Sequence, residues 1–191
     1  MRITRGVQRR LSQVELLVMD VDGCLTRGDV IYSDSGAEAK AFNVKDGLGL
    51  RVAVTAGLQL ALITGRLSSV VQRRARDLRI VEVLQRVGDK EIALRALAAK
   101  RGVSLERVAY LGDDLNDRPA LRIAGVAIAP SDAAPDILAE AHIIVDARGG
   151  EGAARQAVEL ILRAQGKWQA AVDRYLEEIA APDRARRPVG A

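Results

Sequence analysis

Short apolar runs alternate along this chain with longer stretches whose apolar residues recur every three or four positions. The runs read as strands buried on both faces, and the periodic stretches as amphipathic helices. Residues 16–19, 58–63, 80–84, 108–111, 126–129 and 142–145 are the strand candidates. Asp46 is placed to cap a helix through Ala56, closed by Gly57. Leu67, Val70, Val71 and Leu78 keep helical spacing, and Asp89 is placed to cap a helix to about Lys100, stopped by Gly102. Further helices are predicted over 118–124, between the last two strands, and over 151–165. Residues 30–32 and 39–44 flank SDSG, a turn signal, and predict a hairpin.

Strand and helix in alternation predict an α/β fold: a Rossmann-like parallel sheet with helices on both faces. In such sheets a ligand sits at the carboxyl ends of the strands. One domain is expected over 14–167, carrying a small β-hairpin flap at 29–44. A basic segment, 1–13, precedes it, and a helix and tail, 168–191, follow. Trp168, Ala171, Val172, Tyr175, Leu176 and Ile179 form an apolar stripe there, and the closing PDRARRPVGA reads as disordered.

Composition narrows the picture. Hydrophobic residues make up 49% of the 191 and charged residues 28%, the balance of a globular chain. Aromatics are only 3%, so the core must be aliphatic and there is little to stack bases. The net charge of +4 owes much to Arg2, Arg5, Arg9, Arg10, Arg184, Arg186 and Arg187 at the ends. These read as solvated tails rather than a nucleic-acid surface, so no nucleic-acid partner is expected. No apolar run is long enough to cross a membrane, and MRITRGVQRRL lacks a secretory apolar stretch. Cys24 is the only cysteine, which rules out an intrachain disulfide and fits a cytoplasmic location.

Three strand ends carry the chemistry: Asp20 and Asp22; Thr64, Gly65 and Arg66; and Gly112, Asp113, Asp114, Asn116 and Asp117. Carboxylate clusters converging on one sheet edge repel unless a cation lies between them. An all-oxygen donor set of Asp20, Asp113 and the Asp22 carbonyl suits Mg²⁺. A carboxylate beside Mg²⁺ can attack phosphorus, and Lys90, at a predicted helix N-terminus, suits the phosphate.

DVDGCLT, ITGR, the lysine of GDK and GDDLND resemble, in order, the four motifs of the haloacid-dehalogenase superfamily of phosphatases. FNVKDGLGLR, its spacing to TGR and GGEGAARQAVELILRAQGK resemble the 3-deoxy-D-manno-octulosonate 8-phosphate phosphatases within it, over about 16–167. The resemblance implies Mg²⁺ dependence, a homotetramer, and a phosphorylated sugar-acid substrate in lipopolysaccharide synthesis. It makes Asp20 the nucleophile and a metal ligand, and Asp22 the general acid and base. Thr64 and Lys90 hold the phosphate, Asp113 completes the metal site, and Asp114 and Asp117 support it from behind. Implied substrate contacts are Asp22, Asn43, Val44, Lys45, Asp46, Gly47, Arg51, Arg66, Arg74 and Lys90.

The match is not complete. Lys45 stands where the family has arginine, so a two-pronged contact there becomes a point charge. GAARQ replaces the more usual GAVRE, with Arg155 kept. Only 23–45 separates the first motif from the next helix, room for a hairpin but not a cap domain. The hairpin and a neighbouring subunit are therefore expected to cover the site, with residues 29–44 against that subunit. His142, Cys24, Trp168 and Tyr175 read as structural. Competing readings are a phosphatase for a nine-carbon sialic-acid-like phosphate and a non-catalytic oligomerisation domain.

Overall fold

A computed structural model describes residues 3–34, 36 and 38–180. Six parallel strands form one sheet: β1 Leu16–Met19, β4 Gln59–Ile63, β5 Glu82–Leu84, β6 Val108–Leu111, β7 Val126–Ala129 and β8 Ile143–Ile144. Their spatial order is β5-β4-β1-β6-β7-β8. A separate antiparallel pair, β2 Ile31–Tyr32 and β3 Glu38–Ala39, makes the hairpin. The helices are α1 Arg5–Leu11, α2 Val44–Thr55, α3 Ser69–Asp77, α4 Lys90–Arg101, α5 Arg118–Ile123, α6 Pro135–Glu140, α7 Ala153–Ala164 and α8 Trp168–Ala180.

The apolar runs work as two interleaved faces, because successive strand side chains point to opposite sides. Leu17, Met19, Leu60, Leu62, Ala109, Leu111, Val126 and Ile128 pack with α1, α2, α3, α7 and α8. Leu16, Val18, Ala61, Ile63, Val108, Tyr110, Ala127 and Ala129 pack with α4, α5 and α6. This is why the strands carry unbroken apolar runs rather than alternation.

Several expected boundaries move. The second hairpin arm, expected over 39–44, pairs only at Glu38–Ala39, because Asn43 caps α2 by accepting from the Lys45 N–H at 2.8 Å. Asp46, expected as that cap, lies inside the helix. The strand expected from residue 80 starts at Glu82, since Arg79, at φ 60°, is still turning the chain out of α3. The basic N-terminal stretch, read as a solvated tail, forms α1: Val7 and Leu11, one turn apart, are buried on the sheet. PDRARRPVGA, Ser35 of the SDSG turn and Arg2 lie outside the described residues.

Candidate active site

Strand register builds the site. Met19 of β1 pairs with Leu62 of β4 and Leu111 of β6. The residues that follow therefore emerge side by side, and the Asp20 N–H donates to the Leu111 carbonyl at 2.9 Å. A cleft of about 260 Å³ opens there, lined by Asp20, Asp22, Gly28, Thr64, Gly65, Arg66, Asp113, Asp114 and Asn116. Of the expected catalytic and metal residues, Asp20, Asp22, Thr64 and Asp113 line this cleft, and Lys90 reaches it from below.

Oxygens of Asp20, Asp113 and Asp117 lie within 4.8 Å of one another. Asp117 is fully buried and fully engaged. It accepts from Lys90 Nζ at 2.6 Å, the Tyr110 hydroxyl at 2.8 Å, and the backbone N–H groups of Asp113 and Asp114 at 3.0 and 3.4 Å. Asp114, expected beside it in support, is exposed and caps its own turn through the Leu115 N–H.

Asp20 is different. Lys90 Nζ stands 3.1 Å from its Oδ1 as an ion pair, but the aligned hydrogen bond goes to Asp117. Asp20 Oδ1 is thus a buried carboxylate oxygen without a hydrogen bond. Burial, with the charge of Asp117, raises the Asp20 carboxyl to about 7 against the pull of Lys90. Burial, then Asp117 and Asp20, raise Asp113 to about 8. Gly23, at φ 92°, closes over this pair, and a Cβ there would fall 1.9 Å from Asp113 Oδ2. An orphaned oxygen, two carboxyls held against their own ionisation and an all-oxygen donor set fit Mg²⁺.

Lys90 opens α4 behind the Asp89 cap and is 1% exposed. Burial alone would push its ammonium down, but Asp117 and Asp20 reverse that and raise it. Thr64, 2% exposed at the end of β4, accepts from the Arg66 N–H at 3.3 Å. Lys90 thus stands beside Asp20, and Thr64 lines the same cleft as Asp20.

The hairpin of the same chain reaches the cleft. Arg66 donates to Glu38 Oε1 at 3.0 Å and to the Tyr32 hydroxyl at 3.1 Å. Lys40 forms an ion pair with Asp22 and lies 3.5 Å from Glu38. Glu38, Lys40, Tyr32 and Tyr110 were not singled out from the sequence. The available signals were the i, i+2 pairing of Glu38 and Lys40 on one face of an extended arm, and a lone tyrosine in the aliphatic VAYL strand. Val30, Ile31 and Tyr32 of the hairpin stay 46%, 50% and 64% exposed.

The remaining expected contacts divide. Asn43, Asp46, Gly47 and Arg74 gather around a second small pocket with Leu25, Phe42, Leu50 and Leu78. Arg74 donates to the Asn43 carbonyl at 3.3 Å, and its guanidinium lies 5.7 Å from the Phe42 ring centre. A Cβ on Gly47 would meet the Arg74 guanidinium at 2.2 Å, so a side chain there would push that guanidinium from its present place. Asn43 also donates to the Gly150 carbonyl at 3.2 Å, and Val44 and Lys45 are exposed. Arg51 sits elsewhere, half-buried in the field of Arg79, Tyr175 and Glu178, and does not line the cleft.

The residues read as structural pack or hydrogen-bond within the fold, Tyr175 against the core. Cys24 is buried 3.6 Å from the Leu111 carbonyl and 3.5 Å from Asp113, and burial with the Asp113 charge holds its thiol far above the usual range. His142 accepts from the Ala127 N–H at 2.9 Å. Trp168 lies between Arg155 and Arg163, 4.9 and 5.3 Å from its ring centre.

Residues 62–156 match the haloacid dehalogenase-like hydrolase family. The chain is 40% identical over 165 residues to the 3-deoxy-D-manno-octulosonate 8-phosphate phosphatase of Salmonella typhimurium, covering 86% of this chain and 88% of that one. The crystal structure of the Yersinia pestis phosphatase superposes with a TM-score of 0.86 at 39% identity, over 87% of this chain and 90% of that one. That of the Moraxella catarrhalis phosphatase, with magnesium ion, phosphate ion and KDO, gives 0.85 at 42%, over 87% and 95%.

Proposed function

The chain belongs to the 3-deoxy-D-manno-octulosonate 8-phosphate phosphatases of the haloacid dehalogenase-like hydrolases, and from that we propose that it hydrolyses this eight-carbon sugar-acid phosphate to the free sugar acid and phosphate. The observation that carries the reading is one cleft lined by Asp20, Thr64 and Asp113, with Lys90 3.1 Å behind Asp20. Lipopolysaccharide synthesis in the cytoplasm is the setting this reaction implies. Among the described residues no helix is long and apolar enough to cross a membrane.

Mg²⁺, held by Asp20, Asp113 and the Asp22 carbonyl, supplies positive charge against the phosphate and the carboxylates around it. Lys90 and Thr64 hold phosphate oxygens and offset the charge that spreads over them in transfer. An oxygen of Asp20 attacks phosphorus while the bond from phosphorus to the sugar oxygen breaks. Asp22 gives its proton to that oxygen, and the sugar leaves as an alcohol. Asp22, now a carboxylate, takes a proton from water as the water oxygen attacks phosphorus. The bond between Asp20 and phosphorus breaks, and inorganic phosphate leaves. Arg66 at the rim suits the sugar carboxylate.

The reading includes a homotetramer. The exposed Val30, Ile31 and Tyr32 of the hairpin and Val44 and Leu48 of α2 supply apolar surface for a neighbour. A fully active monomer by light scattering would overturn that part.

The test of function is phosphate release with Mg²⁺ from the octulosonate 8-phosphate, a nonulosonate 9-phosphate and hexose phosphates, with Asp20→Asn as control. Preference for the octulosonate, lost in Asp20→Asn, is expected. Release from none of them sinks the phosphatase reading.

A further inference from the structure

Lys40 belongs to none of the sequence motifs, yet its side chain is 1% exposed at the edge of the cleft. A buried ammonium is costly unless opposite charge surrounds it. Here it is flanked by two carboxylates, Asp22 and Glu38, the second at 3.5 Å. Glu38 and Lys40 are two residues apart on an extended arm, so both side chains turn toward the cleft while Ala39 between them is exposed. Glu38 in turn holds Arg66 at 3.0 Å, and Arg66 Nε lies 3.9 Å from the other Asp22 oxygen. Asp22, Lys40, Glu38 and Arg66 thus close a ring of alternating charge that joins the hairpin to the loop after β1.

Asp22 needs such support. Among the described residues, its other side-chain hydrogen-bond contact is the Thr26 hydroxyl at 3.5 Å, at the outer limit for such a bond. A group that moves a proton in the transition state must be held within a fraction of an ångström of its target. We propose that Lys40 is a positioning residue for the dephosphorylation described above: its buried ammonium fixes the Asp22 carboxylate and seats the hairpin on the cleft through Glu38. The inference rests on that reading of the site and adds a residue to it. Lys40 acts through Asp22 and does not touch the reacting atoms.

The consequence depends on the leaving group. A sugar alkoxide is a poor leaving group and relies on the Asp22 proton, whereas p-nitrophenolate leaves without one. Lys40→Met keeps the aliphatic stem and removes the charge. It should lower kcat on the octulosonate 8-phosphate about 10- to 100-fold, a part of what acid–base groups contribute, with little change in KM. The loss of kcat/KM, which reports transfer to Asp20, should be several-fold smaller on p-nitrophenyl phosphate, and Lys40→Arg should recover most of the sugar-phosphate rate. The experiment compares kcat and KM of wild type, Lys40→Met and Lys40→Arg on both substrates with saturating Mg²⁺, alongside melting temperatures. An unchanged kcat in Lys40→Met overturns the inference. So does an equal loss of kcat/KM on both substrates, which would mark Lys40 as a purely structural tie, because kcat/KM reports transfer to Asp20 and not the later attack by water that both substrates share. Wild-type protein inactive on both substrates would instead overturn the phosphatase reading itself.

Discussion

Asp46 and Arg155 are joined the opposite way from what their charges suggest. The Asp46 carboxylate on α2 accepts the backbone N–H of Arg155 at 2.8 Å, and that of Gly152 at 3.1 Å, across more than a hundred residues. The Arg155 guanidinium turns instead to Glu159 and the Trp168 ring. A carboxylate from one helix thus caps another, filling donors that the first turn of α7 leaves unpaired and favouring its dipole. Burial raises the Asp46 carboxyl above its ordinary range, while those N–H groups pull it back.

From this cap follows a stability difference between two substitutions. Asp46→Ala leaves two buried N–H groups without acceptors and should cost about 2–4 kcal/mol. Asp46→Asn keeps only one of the two acceptor oxygens and turns its NH2 toward the other N–H, so it should recover part of that loss, at most about half. Urea unfolding of both proteins checks this, and equal losses would refute the capping role.

Tyr110 and Lys90 share one acceptor. Tyr110→Phe removes the hydroxyl from Asp117 at no cost in shape. Asp117 keeps Lys90 and two backbone donors, so stability should fall by only about 1 kcal/mol. Asp117→Ala strips Lys90 of its aligned partner and should destabilise by about 3 kcal/mol or more while abolishing turnover. Thermal melts beside phosphate-release assays separate the two; a Tyr110→Phe protein as damaged as Asp117→Ala would count against the arrangement.

Gly23 tests the metal site directly. A Cβ there would stand 1.9 Å from Asp113 Oδ2, so Gly23→Ala must drive that carboxylate aside. Activity should require at least about tenfold more Mg²⁺, in line with what displaced ligand supports cost. Titrating Mg²⁺ against phosphate release measures it. An unchanged Mg²⁺ dependence would mean that Asp113 is not a ligand.

What could be read ahead of the structure, and what could not, divides by range. Asp20, Thr64 and Asp113 were legible because each follows an apolar strand run, and parallel strands bring such ends together without any further information. Lys40 was not, because nothing local says that the hairpin folds back on Asp22. Asp46 was assigned as the cap of its own helix for the same reason: an aspartate near a helix start looks alike whichever helix it caps. Arg51 followed the family resemblance and lies away from the cleft. The helix α1 was missed because only Val7 and Leu11 mark its buried side among basic residues.

The last prediction concerns pH and the metal together. Asp20 and Asp113 are raised to about 7 and about 8 in the folded chain, against about 4 for a free aspartate. Between those values the folded state holds protons that the unfolded chain has released, so stability falls as pH rises from about 4 and levels off once pH has passed the folded values of about 7 and about 8. Below about pH 4 both states are protonated and the effect is absent. Mg²⁺ binds the ionised pair, so it must displace these protons at low pH but not at high pH. The melting-temperature rise given by saturating Mg²⁺ should therefore be larger at pH 8.5 than at pH 5.5. At 100-fold excess over its dissociation constant the gain is about 2.7 kcal/mol. Differential scanning fluorimetry with and without Mg²⁺ across that range is the measurement. An equal or smaller rise at pH 8.5 would mean that the buried carboxylates are not what the cation neutralises.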